Sequence, residues 1–381
     1  MSDAAARRTV LVVFGTRPEA IKMLPVVAAL TARARFRVLV CLTGQHRDLV
    51  SPVLDLFGRV ADRDLALMTP EQSLPGLTAR VLTGVAEVIA ETRPDLVLVH
   101  GDTTTTLGAA LAAFYARVPL GHVEAGLRSF DPARPWPEEF NRVAVDALAD
   151  LLFAPTEGAA ENLRREYARR GRIVVTGNTG IDSLLAVANR LATDPALRAS
   201  VARALPALDP SRRLILVTAH RRESFGSGLA GICSGLVALA ARGDVEIVWP
   251  LHPNPAVRAP VASVLAASPA VRLIGPVGYA EMVALMQRAA VILTDSGGIQ
   301  EEAPALGRPV LVLREVTERP EALATGAVRL VGTEPGRIVA EAARLLDDAD
   351  AYARAAQPVF PYGDGRAAER IVEEIERWMD A

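Results

Sequence analysis

Aromatic side chains are scarce in this chain: Phe, Trp and Tyr make up 4% of its 381 residues. Its cores must be built from Ala, Val and Leu instead. With half of the residues hydrophobic the material is ample, so a disordered chain is excluded. Cysteine is nearly absent. Cys41 and Cys233 stand in apolar or small-residue surroundings with no CxxC or zinc spacing, which leaves two reduced core thiols and no disulfide framework. Charge of one sign is lacking as well. The 42 basic residues face 44 acidic ones, a formal net charge of −2, which argues against a nucleic-acid partner held by phosphate charge. No uninterrupted apolar run reaches the ~18–20 residues needed to cross a bilayer. The opening MSDAAARRTVLVVFG has no signal-peptide core, so a cytoplasmic protein with no membrane partner is expected. Lysine is the scarcest of all: Lys22 is the one lysine among the 42 basic residues.

What is present is an alternation. Short β-branched runs at 9–15, 36–42, 95–101, 120–126, 151–155 and 172–177 alternate with segments of helical period such as 18–34 and 104–116. Continuous apolar strands, each followed by a helix, predict a parallel sheet covered on both faces. The pattern restarts at 213–220 and continues through 245–252, 271–277, 290–296, 308–314 and 327–332. The expected fold class is α/β, with two Rossmann-like, doubly wound domains at 1–178 and 179–361. A last helix within 362–381 has apolar spacing suited to packing back on the first domain.

In such sheets a ligand lies beyond the carboxyl ends of the strands, so the polar residues there deserve the closest reading. GTRPEAIK supplies Gly15 for a tight turn and Pro18 for the start of a helix. Arg17 and Lys22 stand beside the free amide donors of that helix, which favour an anion. A chain that uses arginine elsewhere and keeps one lysine here implies a place where a compact cation fits and a planar guanidinium does not. The structural alternative is a surface arginine and a solvated lysine. DSGGIQEEAPALGRP is the strongest phosphate signal: Ser296 can cap a helix, and Gly297 and Gly298 allow an anion close to the backbone. Glu301 and Glu302 are expected in the first turn of that helix, where one would bond sugar hydroxyls. The sequence has no GxxxxGK[ST] and no GxGxxG after the first strand, which argues against a P-loop ATPase and a nicotinamide enzyme.

Three chain positions can deliver carboxylates to one crevice: Asp102 in HGDTTTT, Glu124 in HVEAG, and Glu138 in PWPEEFNR, followed by Glu139 and Arg142. Crowded carboxylates raise one another's pKa, so that one holds a proton while another is ionised, an acid/base set. The structural alternatives are Asp102 capping the helix at Thr103, Glu124 pairing with Arg128, and Glu138 capping its own helix. HRRESFG places His220, Arg221 and Arg222 just past the first strand of the second series, suited to a diphosphate and a leaving phosphate. His252 in WPLHPNP serves equally well to brace a proline-rich turn. No HxxxH or HxH spacing occurs, so no metal site is expected.

These motifs resemble those of the non-hydrolysing UDP-N-acetylglucosamine 2-epimerases of bacterial surface-polysaccharide synthesis. The likeness runs in order through almost the whole chain, from FGTRPEAIKMLP, TGQHRDL, VHGDTTTT, HVEAGLRSFD and PWPEEFNR to VTGNTGIDSL, VTAHRRESFG, LHPNP and DSGGIQEEAPALGRPVLVLREVTERPEA. It implies a glycosyltransferase-B-like fold with the nucleotide sugar in the cleft between two Rossmann-type domains. It also implies interconversion of UDP-GlcNAc and UDP-ManNAc with no metal or redox cofactor, and a homodimer. Residue by residue, Asp102, Glu124 and Glu138 look like the acid/base carboxylates, with Arg142 as their supporting arginine. Arg17, Lys22 and His220 match positions near the diphosphate and the departing UDP. Ser296, Gly297 and Gly298 look like the phosphate cradle, with Glu302 on the ribose and Arg319 close to the uridine diphosphate.

Some members of that family also bind a second UDP-GlcNAc as an activator. Gln45, Arg80, Glu138, Arg221 and His252 stand at or near the matching places, whereas Asp48 and Gly180 are less usual within their motifs. Other readings stand beside this one. A 2-epimerase of a related UDP-sugar, with a 3-acetamido or uronic acid group, would look the same. A glycosyltransferase of this architecture would need an acceptor and only a single base, and a non-reacting nucleotide-sugar sensor would have lost the carboxylates.

Overall fold

The computed structural model describes residues 7–44, 47–68, 72–167, 171–219, 226–251, 255–317 and 319–381. They fall into two compact units: the chain up to Ser183 together with Tyr362–Ala381, and Leu184–Pro361.

The first unit carries strands β1 (Arg8–Phe14), β2 (Phe36–Leu42), β3 (Arg63–Asp64), β4 (Leu96–His100), β5 (Leu120–Val123), β6 (Leu151–Ala154) and β7 (Arg172–Val175). All pair in parallel, in the order β3-β2-β1-β4-β5-β6-β7. The order runs outward from β1 on one side and from β4 on the other, so the crevice at the switch point opens between β1 and β4. Strand alternation sends successive side chains to opposite faces. Val10, Val12 and Phe14 pack with Met23, Leu24 and Val27 of the helix Arg17–Thr31 and with Ile371, Val372 and Ile375 of the helix Ala367–Met379. Leu11 and Val13 pack on the other face with Val81 and Val85 of the helix Leu74–Thr92 and Ala109 and Ala113 of the helix Thr104–Ala116. Each of the larger of these buried side chains, the Val, Leu, Ile, Met and Phe, contributes roughly 1.5–3 kcal/mol, so the turns that leave the strands stand on a rigid base.

The second unit repeats the scheme with β8 (Arg213–Thr218), β9 (Val245–Pro250), β10 (Val271–Ile274), β11 (Ala289–Thr294), β12 (Val310–Val312) and β13 (Val328–Leu330). Its order is β10-β9-β8-β11-β12-β13, again parallel, with the switch point between β8 and β11. Ile215, Val217, Trp249, Val291 and Leu293 are fully buried in its core. The chain is thus α/β, with two doubly wound sheets. Among the described residues no helix is long and apolar enough to cross a membrane.

The strands stop short of where the apolar pattern suggests. The run 120–126 is strand only through Val123, because Glu124 (φ +68°) and Gly126 (φ +86°) turn the chain away from the sheet. The run 95–101 likewise ends at His100, before Gly101 at φ +66°. These early exits put the polar residues at the mouth of the sheet.

Candidate active site

In the first unit a cavity of about 430 Å3 lies beyond the carboxyl ends of β1, β4 and β5. The turn and helix after β1 give it Thr16, Pro18, Glu19 and Lys22, and the turn after β4 gives His100, Gly101, Asp102, Thr103 and Thr104. Glu124 enters after β5, and Pro137, Glu138 and Asn141 come from the start of the helix Glu138–Leu148. Four of the residues singled out in the sequence, Lys22, Asp102, Glu124 and Glu138, therefore line one cavity.

Lys22 is not solvated. Its ammonium pairs with Glu124 Oε2, and the two side chains are only 15% and 12% exposed. His100 Nε2 lies 3.4 Å from the same oxygen but makes no hydrogen bond to it, and Asn178 Nδ2 donates to it at 3.4 Å. Burial pushes the Glu124 carboxyl up. The Lys22 ammonium and then His100 outweigh burial and hold it well below the usual carboxylate range. Glu124 is also one of the few non-glycine residues in the left-handed region, a conformation a non-glycine residue adopts at a cost of about 1–3 kcal/mol and keeps only where surroundings fix it.

Asp102 does not cap the helix that follows it. Thr103 does so, its Oγ1 accepting from the Thr106 N–H at 3.2 Å. Asp102 instead accepts from Arg142 Nη2 through Oδ2, and its carbonyl accepts from Asn141 Nδ2 at 2.9 Å. Glu138 opens its helix with Pro137 as the N-cap residue, so it is not the cap of that helix either. Its neighbour Glu139 is consumed structurally, accepting the backbone N–H groups of Ser129 at 2.9 Å and Phe130 at 2.9 Å. Arg128 pairs with Asp146 and Glu166, not with Glu124.

One carboxylate of the cavity escaped the sequence reading. Glu19, 2% exposed, accepts from the N–H groups of Gly15 at 3.0 Å and Thr16 at 2.7 Å, and from the hydroxyls of Thr103 at 2.7 Å and Thr106 at 3.2 Å. It ties the turn after β1 to the turn after β4. The T-x-x-E spacing of a capping box, Thr16 to Glu19, was the available signal. His100, one of the polar residues expected at the carboxyl end of a strand, ends β4 immediately before Gly101 and Asp102 and stands beside Glu124.

In the second unit Ser296 is the N-cap residue of the helix Gly297–Ala305, but its side chain makes no cap bond. Its N–H donates to Thr294 Oγ1 at 3.0 Å, and that hydroxyl meets Thr218 Oγ1 at 2.6 Å, across the switch point of this sheet. Because the helix begins at Gly297, Glu301 and Glu302 fall in its second turn, which corrects the expectation of the first. Glu302 Oε1 accepts from the Tyr279 hydroxyl at 3.1 Å, and Arg319 pairs with Glu301. Arg17 is the first residue of its helix. Arg80 donates to the Leu67 carbonyl at 3.2 Å and to Gln72. Gln45, His220, Arg221 and His252 lie outside the described residues. Both thiols are free and buried.

Comparison with known proteins agrees with this fold. The profile of the family described as UDP-N-acetylglucosamine 2-epimerase matches residues 28–376. The chain is 52% identical over 368 residues to UDP-N-acetylglucosamine 2-epimerase of Escherichia coli K12, covering 96% of this chain and 98% of that one. The crystal structure of UDP-GlcNAc 2-epimerase from Neisseria meningitidis bound to UDP-GlcNAc superposes with a TM-score of 0.90 at 45% identity, covering 97% of this chain and all of the other. UDP-GlcNAc 2-epimerase from Methanocaldococcus jannaschii, in complex with UDP-GlcNAc and UDP, matches with a TM-score of 0.81 at 31% identity over 97% and 99% of the two chains. A sheet-end cavity with four carboxylates and a lone lysine, on a chain that matches these proteins nearly end to end, leads to one conclusion: the protein is an isomerase and belongs to the UDP-N-acetylglucosamine 2-epimerase family.

Proposed function

We propose that the carboxylate cavity of the first unit epimerises carbon 2 of UDP-GlcNAc to give UDP-ManNAc, and the reverse. The observation that carries this is the convergence of Asp102, Glu124 and Glu138 on one cavity beside Lys22. The proton on carbon 2 of an N-acetylhexosamine is not acidic, so the route breaks the anomeric bond first. UDP leaves, carbon 2 loses its proton to a carboxylate, and a 2-acetamidoglucal remains bound. A proton returns to the opposite face of carbon 2, UDP adds back, and the epimer results. Two faces call for two differently protonated acids, which a set of three carboxylates provides. Arg17, Lys22 and His220 stabilise the charge that builds on the departing diphosphate. Ser296, Gly297, Gly298, Glu302 and Arg319 hold the UDP portion, and Arg142 fixes Asp102.

The same reading extends to a homodimer in the cytoplasm and to a second UDP-GlcNAc that activates the enzyme through Gln45, Arg80, Glu138, Arg221 and His252. The M. jannaschii enzyme, in complex with UDP-GlcNAc and UDP, lends support to the binding of both nucleotides here.

The test is incubation with UDP-GlcNAc alone in heavy water, followed by proton NMR. UDP-ManNAc carrying deuterium at carbon 2 is expected, with no acceptor added. Asp102→Asn and Glu124→Gln each abolish turnover while UDP still binds; full activity in both would sink the assignment. Free ManNAc plus UDP would point to a hydrolysing enzyme instead. Starting from UDP-ManNAc, with and without a trace of UDP-GlcNAc, the same assay reads the activator: equal initial rates would remove it.

A further inference from the structure

Behind the carboxylate cavity lies a second polar group that the mechanism does not use. His122, the third residue of β5, is completely buried. Its Nε2 lies 2.7 Å from the carbonyl oxygen of Gly101, and its Nδ1 lies 2.6 Å from Asp146 Oδ1. A carbonyl only accepts, so Nε2 donates to Gly101, and a proton lies along the line between Nδ1 and the carboxyl. The other Asp146 oxygen accepts from the Gly126 N–H at 3.1 Å and from Arg128 at 2.8 Å. Arg128 is itself clamped by Glu166 at 2.7 Å.

The ends of this chain of bonds fall at telling places. Gly101 directly precedes Asp102, and Gly126 stands two residues after Glu124. Both glycines have positive φ, so each marks the turn that carries a carboxylate out of the sheet. A side chain at Gly126 would meet the Ala159 carbonyl oxygen at 2.3 Å, so that turn packs closely against the helix Glu157–Tyr167 and only glycine fits there. The helix Glu138–Leu148 supplies the rest. Glu138, Asn141, Arg142 and Asp146 recur at helical spacing along one side. Asn141 and Arg142 hold the carbonyl and carboxylate of Asp102, while Asp146 reaches through His122 to Gly101 and directly to Gly126.

We infer that His122 and Asp146 act as one buried pair that sets the turns of Asp102 and Glu124 at a fixed separation, and are positioning residues for epimerisation. The inference rests on the assignment of those two carboxylates to the chemistry. Displacements of about 1 Å at a reacting group cost on the order of a hundredfold in rate, and the second proton transfer depends on the pair of turns keeping its spacing while the glucal is bound. Loosening them should therefore slow turnover and let the intermediate escape, without weakening UDP binding.

Asp146→Ala and His122→Phe each break the link, and kcat is expected to fall by about 10- to 100-fold, with UDP affinity changed less than twofold and a larger share of turnover ending as free 2-acetamidoglucal and UDP. The double variant falls no further than the worse single one, because the link is already lost. Asp146→Asn recovers most of the kcat lost in Asp146→Ala, since an amide can donate to Nδ1 and still accept from Gly126. Multiplying effects in the double variant, or Asp146→Asn as impaired as Asp146→Ala, would overturn the pairing. If the two disruptive variants do not fold, Asp146→Asn alone decides: a loss of more than about tenfold in a folded protein sinks it. If the carboxylate assignment itself is wrong, Asp102→Asn and Glu124→Gln turn over normally; if only the pairing is wrong, those two are dead while the His122 and Asp146 variants keep the kcat and product ratio of the parent.

Discussion

Glu124 is buried beside the one lysine of the chain, and Lys22 is the first of the two groups that hold its carboxyl below the usual range. A buried carboxylate without its cation would be driven the other way, because desolvation disfavours the charged form. The sign for stability follows from linkage: a depressed carboxyl contributes stability above its unfolded pKa, about 4.3, and loses that contribution as pH falls through the lower folded value. For catalysis the outcome is specific. Lys22→Met should lower kcat, since the leaving diphosphate loses a cation, and should move the acid limb of the kcat/KM profile to higher pH. Lys22→Arg keeps the charge and should leave that limb near its original place while kcat still falls, because the planar fork does not fit a site shaped for an ammonium. A lower rate with an unmoved acid limb in Lys22→Met would separate the lysine from Glu124 in solution. The composition singled out Lys22, but nothing along the chain paired it with Glu124: Arg128, four residues after Glu124, was the local candidate for that carboxylate, and it is drawn off by Asp146 and Glu166, on two helices whose positions only the fold decides.

At the scale of elements, hydrophobic runs and their spacing were enough to find every strand but one among the described residues and to foresee two doubly wound sheets. β3 escaped because it is two polar, exposed residues, Arg63 and Asp64, at a sheet edge. Strand ends escaped because Ala125 continues the apolar pattern after the backbone has already turned at Glu124. Helix starts matter most where a side chain from afar caps them. Asp182 accepts from the N–H groups of Ala367 at 3.2 Å and Ala368 at 2.8 Å, at the start of the helix Ala367–Met379. Burial pushes its carboxyl up to about 6, against the pull of those two N–H groups. Here the sign is reversed: the folded state binds the proton more tightly, so this carboxyl favours folding most below its unfolded pKa, about 3.9, and that contribution is lost as pH rises through about 6. At about 1.4 kcal/mol per unit the swing is of the order of 2–3 kcal/mol. Asp182→Asn should remove this slope, at the cost of one capping bond, about 1 kcal/mol. Hydrogen exchange at the amides of the helix Ala367–Met379, measured between pH 4 and 7, reads both effects. An equal pH dependence in the variant would show that Asp182 is not the titrating group.

At the scale of the molecule the scarcity of aromatics becomes informative. A chain with so few would be expected to bury them, yet Phe114, Tyr115, Phe130, Trp136 and Phe140 are 52%, 68%, 71%, 67% and 58% exposed, all within one stretch of the first unit. Phe114 and Tyr115 stand together at the end of the helix Thr104–Ala116, ring centroids 6.1 Å apart. An exposed aromatic pair such as Phe114 and Tyr115 is more typical of an interface than of free surface, and it is the support in this chain for the proposed homodimer. With a net charge of only −2, self-repulsion does little to oppose association. The protein is therefore expected to sediment at twice its 40.4 kDa chain mass. Tyr115→Arg, which adds a charge to the patch without touching any residue of the carboxylate cavity, should shift it toward the monomer while circular dichroism stays unchanged. A parent protein that sediments as a monomer at micromolar concentration would remove the dimer. A dimer indifferent to Tyr115→Arg would place the interface elsewhere and leave these aromatics without a role.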